Sequence, residues 1–422
     1  MFKFKKKKEK AIDKVKDVIE EVQEQISLKP KKSKKRYTTF EVVFISLITL
    51  MFGTVLGCMV SVCTKSVTGF KMNDNITEFL NVYNTIKEEY YKEVDDKSLI
   101  DAALYGMLNS LGDEYSYFMN ENTTKNFNTT VDGTYKGVGI TIKYEDGVIS
   151  IIDIFKGSPA DKVGLKVGDI LSVVQGVDVS EKNSADVVDL IAGDVGKEVN
   201  ITVKRGEETL DFSMKVAEIE IPSVYSEVKE VGDKKIGYIS VDNFAANTYK
   251  QFNSNLKELE KSNIDSLIID VRDNTGGHLS QVDQMLGLFF DKKTVLYQIE
   301  TKGKAKKYYS STNDKREYPI VVLVNSSSAS ASEVLTACFK ENYKDATIVG
   351  TTTYGKGTVQ KAADLSNGTS YKFTSQKWLT PKGNWIHEKG ITPDIEVEDN
   401  IETEEDEQLD AAIKVLTEEK ES

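Results

Sequence analysis

The chain has 422 residues, of which 39% are hydrophobic and 29% charged, and its formal net charge is −12. This length suffices for two or three globular domains. With only two histidines and three cysteines, the composition excludes a His-rich metal site and a disulfide framework. We therefore expect neither a metal nor a cofactor.

The positive charge is concentrated at the N-terminus. Residues 1–36 carry a net charge of +8, which leaves −20 for the remainder of the chain. The uncharged run Val42–Thr64 that follows has 23 residues, and a membrane-spanning helix needs about 20. Because basic residues favour the cytoplasmic side, we interpret residues 1–36 as a cytoplasmic basic tail and 37–65 as a single transmembrane anchor. The remainder would then lie outside the cell membrane, and its acidic surface argues against a nucleic-acid partner.

Two alternatives for the apolar run stay open. A cleaved signal peptide is the first, but its basic region would be about 40 residues long, which is unusual for such peptides. A lipoprotein modified at Cys58 is the second, since the string VLGC loosely resembles a lipidation box. The length of the preceding segment favours the uncleaved anchor.

After this run, residues 70–125 predict two or three helices. Apolar residues recur there at helical spacing, for example at Ile76, Phe79, Leu80, Tyr83 and Ile86. Such a region serves packing or dimerisation, so a homodimer is one expected assembly.

Residues 126–220 change to short β-rich runs between glycine turns, interrupted by one helix near residues 184–192. This pattern indicates a small β-sandwich or barrel. The strings GVGI, GSPA and GLKVGD resemble those of a PDZ domain, a module that adds an extended peptide as an edge strand and binds its terminal carboxylate on backbone N–H groups. The resemblance implies a carboxylate-binding loop formed by Gly137, Val138, Gly139 and Ile140. An unrelated β-domain is the alternative.

Residues 221–400 alternate apolar strands with amphipathic helices. This order predicts a mixed, partly parallel sheet with a site at the carboxyl ends of its strands. The fold class is therefore an α/β catalytic core with an inserted PDZ-like β domain, an N-terminal helical segment and one transmembrane helix. Residues 401–422 form an acidic segment that carries a last helix.

Three loops follow three buried strands of this core. The first is RDNTGG (272–277), in which we expect an ion pair between Arg272 and Asp273. The second is rich in serine, and the third carries Gly355-Lys356-Gly357. The second loop contains five serines: Ser326, Ser327, Ser328, Ser330 and Ser332.

Ser330 and Lys356 each have a structural interpretation when taken alone. Ser330 with Glu333 matches a capping box, yet a serine at a helix start also lies beside free N–H groups that can stabilise an oxyanion. Lys356 matches a solvated turn lysine. As a base it must be neutral, and lowering its pKa from ~10.4 to ~7 takes ~4.6 kcal/mol, which burial can supply. Gln360 could orient the lysine without adding charge.

A Ser-His-Asp catalytic triad is an alternative to a Ser-Lys pair. It would use His278, which follows the glycines of the first loop and is the only histidine expected near these loops. With so few histidines in the chain, a lysine base is the more economical hypothesis.

Several long strings, in order, resemble the carboxyl-terminal processing, or tail-specific, proteases: AALYGMLNSLGDEYSYF, IIDVRDNTGG, LVNSSSASASEVL, IVGTTTYGKGTVQ and TPKGNWIHEKGITPDIEV. The resemblance covers residues 75–400. It implies that Ser330, in the string Ser-Ala-Ser-Glu, is the nucleophile rather than Ser328. It further implies that Lys356 is the general base and Gln360 its orienting partner, and that Ala331 and Gly276 form the oxyanion hole.

Two features depart from the family pattern. The spacing from serine to lysine is 26 residues, one longer than usual, and we place the extra residue in the loop at Glu341–Asp345. The first loop reads DNTGG where a third glycine or a proline is often found. Neither departure removes a required group.

The sequence thus predicts a membrane-anchored extracytoplasmic serine endopeptidase. It would recognise substrate C-terminal segments through its PDZ domain and cleave by a Ser-Lys mechanism. Its partners would be proteins or peptides with exposed C-termini. A non-catalytic PDZ adaptor with a decayed protease fold is the competing hypothesis.

Overall fold

The computed structural model describes residues 74–398, 403 and 405–418. The predicted basic tail, the predicted anchor and Cys58 lie outside these residues. Among the residues that are described, no helix combines the length and the apolar composition of a membrane span. The chain divides into two compact units, residues 1–94 and 95–422.

In the first unit the structure describes one long helix, α1 (Asp74–Glu89). Its apolar residues follow helical spacing, and none of its residues is buried. The helix therefore presents an exposed apolar stripe, which includes Ile76, Phe79 and Val82.

The second unit begins with α2 (Asp96–Asn109), β1 (Tyr117–Met119) and α3 (Glu121–Asp132). Side-chain caps start both helices: Asp95 accepts the N–H of Ser98, and Asn120 accepts the N–H of Thr123. Gly133 ends α3 in a left-handed conformation with φ 66°, which glycine adopts readily. The short strand β1 was not predicted, because its three residues carry too little periodicity to indicate a strand.

A small antiparallel sheet follows. Its strands are β3 (Ile140–Glu145), β4 (Val148–Ile154), β5 (Ile170–Val174), β6 (Val177–Asp178), β7 (Glu198–Arg205) and β8 (Glu208–Lys215). They are ordered β3-β4-β5-β7-β8, with β6 beside β5. The helices α4 (Pro159–Val163) and α5 (Ser184–Ile191) cover it. The inward residues of the strands, such as Ile149, Ile151, Val199 and Val203, form its apolar core.

The chain enters and leaves this small sheet through a two-stranded ribbon. Its strands are β2 (Thr134–Gly137) and β9 (Ala217–Glu220), which pair antiparallel from Thr134↔Glu220 to Gly137↔Ala217. The ribbon continues directly into the larger core, where the Gly133 carbonyl accepts the N–H of Ile221 and an amide hydrogen of Asn247.

The core sheet has the order β10-β11-β12-β15-β16-β19. These strands are β10 (Val224–Val231), β11 (Lys234–Val241), β12 (Ser266–Asp270), β15 (Ile320–Val324), β16 (Ala346–Gly350) and β19 (Ile395–Glu396). Only β10 runs antiparallel to its neighbour. The predicted mixed α/β core is confirmed.

Helices cover both faces of this sheet, which explains why β12 and β15 are apolar and buried at almost every position. The helices α6 (Thr248–Lys261), α7 (Leu279–Leu286) and α8 (Ala331–Asn342) share one apolar cluster with the sheet, and α9 (Glu407–Thr417) shares another. Successive strand residues alternate between the clusters: Ile269 faces the first and Ile268 the second.

A second sheet was not predicted. Its strands are β1, β13 (Val295–Thr301), β14 (Lys304–Tyr309), β17 (Thr358–Asp364) and β18 (Ser370–Leu379). The order is β1-β18-β13-β14, and β17 pairs with β18. This sheet brings the segment before β1 next to β18, the strand that pairs with the one that carries Gln360.

Candidate active site

Three loops meet at one edge of the core sheet, because β12, β15 and β16 are parallel and end there. The second loop ends at Ser330, the residue before α8. Ser330 has φ 55° and ψ −111°, a backbone conformation that costs a non-glycine residue about 1–3 kcal/mol and that clusters at functional sites. Ser330 and Glu333 form the predicted capping pair, in which the Ser330 N–H donates to Glu333 Oε2 at 2.8 Å.

The other buried serines of this loop serve the backbone. Ser328 Oγ donates to the Val271 carbonyl and Ser332 Oγ to the Asn274 carbonyl, each at 2.7 Å. Both serines are fully buried, whereas Ser330 is half-buried. Of these three serines, Ser330 alone combines backbone strain with partial access.

The first loop lies directly against Ser330. Gly276 has φ 109°, and a Cβ atom added there would lie 2.9 Å from Ser330 Cβ and 3.1 Å from the Ala331 nitrogen. This places Gly276 beside the first turn of α8, as an oxyanion hole with Ala331 requires. The N–H of Gly276, however, donates to Asn274 Oδ1 at 2.9 Å, so in this conformation it is occupied.

Asn274 organises this loop and was missed by the sequence analysis. Its side chain is fully buried and donates to the Val241 carbonyl at 2.7 Å. Its backbone carbonyl accepts the Ala329 N–H and the Ser332 hydroxyl. The available signal was an asparagine two residues before a glycine, which favours an Asx-turn.

Glu333 joins the second loop to the third. Its carboxylate is completely buried and accepts four hydrogen bonds of 2.7–2.8 Å: from the N–H groups of Ser330, Gly355 and Lys356 and from the Thr353 hydroxyl. Burial raises the pKa of this carboxyl, and the four donors oppose that rise. The sequence analysis assigned Glu333 only the role of a capping partner.

Lys356 is held by its backbone, while its side chain points to an aromatic ring. Its carbonyl accepts the indole N–H of Trp378 at 2.7 Å, and its Nζ lies 4.6 Å from the centroid of the Tyr115 ring. Within the described part of the chain, Nζ forms no hydrogen bond with Ser330 or Gln360. The predicted base therefore does not contact the Ser330 hydroxyl in this structure.

Burial is the main cause that lowers the pKa of Lys356 to about 8, and the positive charge of Lys372 lowers it further. The carboxylates of Asp113, Glu114 and Glu333 oppose this effect. The environment thus lowers the pKa of Lys356 in the direction that the predicted base requires, although carboxylates lie nearby.

Gln360 lies in β17 with its amide nitrogen committed. Nε2 donates to Thr358 Oγ1 at 3.0 Å and to Thr374 Oγ1 at 3.1 Å. These two bonds fix the side chain and leave its Oε1 as the atom that can accept a hydrogen bond from a lysine.

The histidines differ from expectation. His278 precedes α7, and its ring makes no hydrogen bond or ring contact among the residues that the structure describes. His387 instead lies at the third loop, where its Nδ1 is 3.2 Å from the Gly355 carbonyl oxygen and its ring faces Tyr115 at 6.4 Å between centroids. The expectation that His278 is the only histidine near the loops is wrong, because the fold brings His387 back from a distant turn.

The predicted ion pair between Arg272 and Asp273 is also wrong. Arg272 pairs with Asp270 and with Asp406, both at 2.7 Å, while Asp273 accepts a hydrogen bond from Asn325. Arg272 and Asp273 lie in a turn, where Asp273 has φ 58°, and Arg272 faces the start of α9.

The loop of the PDZ-like sheet connects β2 and β3. Gly137 ends β2, Val138 is buried, Gly139 has φ 85°, and Ile140 begins β3. The Val138 carbonyl accepts the N–H of Ala160 at 2.9 Å. A side chain at position 139 would collide with Ser158, so the tight approach of this loop to α4 requires glycine.

A crevice of about 670 Å³ opens near the same sheet edge, lined by Tyr238, Asp242, Asp270, Arg272 and Asn325 among others. Neither Ser330 nor Lys356 lines it. No group of three or more His, Cys, Asp or Glu side chains suited to a metal ion occurs in residues 74–398, 403 and 405–418.

Three family models match the chain. Peptidase family S41 matches residues 235–397, the PDZ domain matches 137–216, and a model described as the activating protease CtpB N-terminal domain matches 60–123. Each match falls on a separate part of the chain.

Known proteins match across most of the length. The carboxy-terminal processing protease CtpB of Bacillus subtilis (strain 168) is 40% identical over 319 residues, which cover 75% of this chain and 66% of that protein. The corresponding CtpA of the same organism is 37% identical over 361 residues, covering 84% and 76%. Among solved structures, a photosystem II D1 C-terminal processing protease matches with 25% identity and a TM-score of 0.45, covering 76% of this chain and 86% of that one.

Proposed function

The chain belongs to the carboxy-terminal processing proteases, a family of serine proteases, and we propose that Ser330 is its nucleophile and Lys356 its general base. One observation carries this proposal. The strained Ser330 and the desolvated Lys356 are fastened to a single buried carboxylate, that of Glu333, through their backbone N–H groups.

In the proposed reaction, Ser330 Oγ attacks the scissile carbonyl carbon while its proton passes to the neutral Nζ of Lys356. The tetrahedral intermediate collapses with transfer of that proton to the leaving amine, which gives an acyl-enzyme. Water then attacks the ester and loses a proton to Lys356, and collapse of the second tetrahedral intermediate returns that proton to Ser330 Oγ and releases the new C-terminal carboxylic acid. Half of Lys356 is neutral at about pH 8, so the base is available in mildly alkaline solution.

The oxyanion would be stabilised by the N–H of Ala331 at the first turn of α8 and by that of Gly276. Because Asn274 Oδ1 occupies the Gly276 N–H, we propose that Gly276 contributes only after this hydrogen bond is released. Gln360 would accept a hydrogen bond from Lys356 through its Oε1 and so direct the amine toward Ser330.

Substrates would be polypeptides with an exposed C-terminus. The loop Gly137–Ile140 lies between an edge strand and the start of α4, the setting in which a PDZ domain binds a terminal carboxylate. We propose that the small sheet holds the substrate tail and that Ser330 cleaves upstream of it.

We further propose that the chain is a single-pass protein of the cell membrane, with its N-terminus in the cytoplasm and the protease outside. The charge asymmetry around the run Val42–Thr64 supports this topology. The exposed apolar stripe of α1 supports a homodimer.

Cleavage of unstructured casein by the full-length chain tests the catalytic assignment. Ser330→Ala and Lys356→Ala should each abolish turnover, whereas Ser327→Ala and Lys361→Ala, matched changes at an exposed serine and an exposed lysine nearby, should retain it. Full activity in either of the first two variants would refute the assignment.

The competing functions make different predictions. A non-catalytic adaptor would bind C-terminal peptides without turnover, and its Ser330 would resist a fluorophosphonate reagent. A histidine triad would make His278→Ala inactive with intact folding. Under the Ser-Lys proposal, Ser330 reacts with the reagent and His278→Ala remains active.

A further inference from the structure

Tyr115 touches the proposed base from an unexpected part of the chain. It lies between α2 and β1, 241 residues before Lys356 in the sequence, and its ring carries the Lys356 ammonium at 4.6 Å from the centroid. An ammonium over an aromatic face is attracted by the quadrupole of the ring. Within the part of the chain that the structure describes, this Nζ forms no hydrogen bond.

The backbone of Lys356 is fixed at every neighbouring peptide. Its N–H donates to Glu333 and its carbonyl accepts from Trp378. The Gly357 carbonyl accepts the backbone N–H of Trp378 and the indole N–H of Trp385. Moving the third loop as a unit would break these hydrogen bonds, whereas rotation of the lysine side chain would leave them in place.

The Tyr115 ring is also fixed in place. Its backbone N–H donates to Asp113 Oδ1 at 3.2 Å, and the next residue, Ser116, accepts the N–H of Thr374 in β18. The Tyr115 hydroxyl lies 3.4 Å from that of Tyr354. The segment of Tyr115 is thus joined to β18, the strand beside Gln360, and the ring forms a platform under the Lys356 amine.

The attraction of this platform depends on the proton that Lys356 carries. A protonated amine is held by the ring face, whereas a neutral amine loses the electrostatic attraction and becomes able to accept the Ser330 proton. Position and protonation of the side chain are therefore coupled at one contact.

Resting on the proposed roles of Ser330 and Lys356, we propose that Tyr115 is a positioning residue: its ring holds the Lys356 ammonium out of hydrogen-bond contact with Ser330 and releases the amine on deprotonation. Other charged or titratable groups face this contact from all surrounding elements. They are Asp113 and Glu114 before β1, Glu333 in α8, Lys372 in β18, Tyr354 in the third loop and His387.

Replacing the ring tests the proposal through the pH profile of kcat/KM, whose acid limb reports the free enzyme. Tyr115→Leu keeps apolar cover over Lys356 but removes the quadrupole that favours the ammonium. The acid limb should then move to lower pH by about half a unit to one unit. Tyr115→Phe keeps the ring face and should leave the limb in place.

Controls separate this effect from others. The comparison is repeated in a His387→Gln background, because that ring faces Tyr115, and with Tyr354→Phe, which removes the partner of the Tyr115 hydroxyl. Tyr115→Met serves as a second non-aromatic variant should Tyr115→Leu fail to fold by circular dichroism. The rate of Ser330 labelling by a fluorophosphonate at pH 6.5 should rise two-fold or more in either non-aromatic variant.

An acid limb that stays in place in a folded Tyr115→Leu or Tyr115→Met protein would overturn the inference. So would equal shifts in the Leu and Phe variants, since the hydroxyl rather than the ring would then be responsible. Failure of the proposed function itself is distinguishable, because in that case Ser330→Ala or Lys356→Ala would remain active.

Discussion

Replacing Gly276 by alanine should lower kcat/KM strongly in a protein that still folds. The residue has φ 109°, and the new Cβ would lie 2.9 Å from Ser330 Cβ and 3.0 Å from the Ala329 carbonyl oxygen. The methyl group would therefore push directly on the residue proposed as the nucleophile.

The magnitude has two parts. An alanine at positive φ costs about 1–2 kcal/mol in backbone strain, and overpacking against fixed neighbours adds about 1–3 kcal/mol. Gly303 provides a matched control: its φ is 78°, but nothing lies within 4 Å of an added Cβ. Gly303→Ala should lose only the first part, about 1–2 kcal/mol, and Gly276→Ala about 2–5 kcal/mol.

Urea unfolding and casein cleavage measure the two effects in the same proteins. A displacement near 1 Å at a reacting group can cost about 100-fold in rate, so kcat/KM of Gly276→Ala should fall by about that factor or more. Gly303→Ala should keep the wild-type value. If both variants show equal kcat/KM, Gly276 does not shape the site and the reasoning fails.

Three further changes probe the surrounding charges. Lys372→Met removes a positive neighbour that lowers the pKa of Lys356, so the acid limb of kcat/KM should move to higher pH than in the wild type; a shift to lower pH would contradict this. Glu333→Gln places an amide among four donors, and kcat should drop about 100-fold with KM little changed, whereas an equal rise in KM would indicate a binding role. Arg272→Met breaks the pair with Asp406, and hydrogen exchange should show α9 less protected by about 1 kcal/mol; unchanged protection would show that apolar contacts alone hold it.

The sequence was sufficient for the central strands of the core sheet because β12 and β15 are short runs that are apolar at almost every position. Such runs indicate strands covered on both faces, and their polar ends locate the loops. The serine-rich loop and the lysine between glycines were visible for the same reason. Local patterns of this kind can be recognised without knowledge of the tertiary fold.

The contacts that tune the site could not be predicted, because they join distant parts of the chain. Nothing near Tyr115 in the sequence points to Lys356, and the pairing of β1 with β18 that brings them together depends on three residues. Glu333 shows the same limit: its spacing from Ser330 indicates a cap, but its bonds to Gly355 and Lys356 exist only after β16 has taken its place. The ion pair of Arg272 with Asp406 could not be predicted for the same reason, because the start of α9 lies 134 residues away in the sequence.

The ribbon of β2 and β9 determines which motions can pass between the small sheet and the core. The two strands that connect the small sheet to the core are hydrogen-bonded to each other along their length. Sliding one strand along the other would break these hydrogen bonds, whereas twisting the pair of strands would not. Two-stranded ribbons are the sheets that twist most. At its base, the Val131 carbonyl accepts the N–H of Ala246 and the Gly133 carbonyl accepts from Asn247. A rotation of the small sheet about the ribbon would therefore reach the core at the connection between β11 and α6, which contains Phe244, and the backbone of Phe244 hydrogen-bonds with Gly276 and His278.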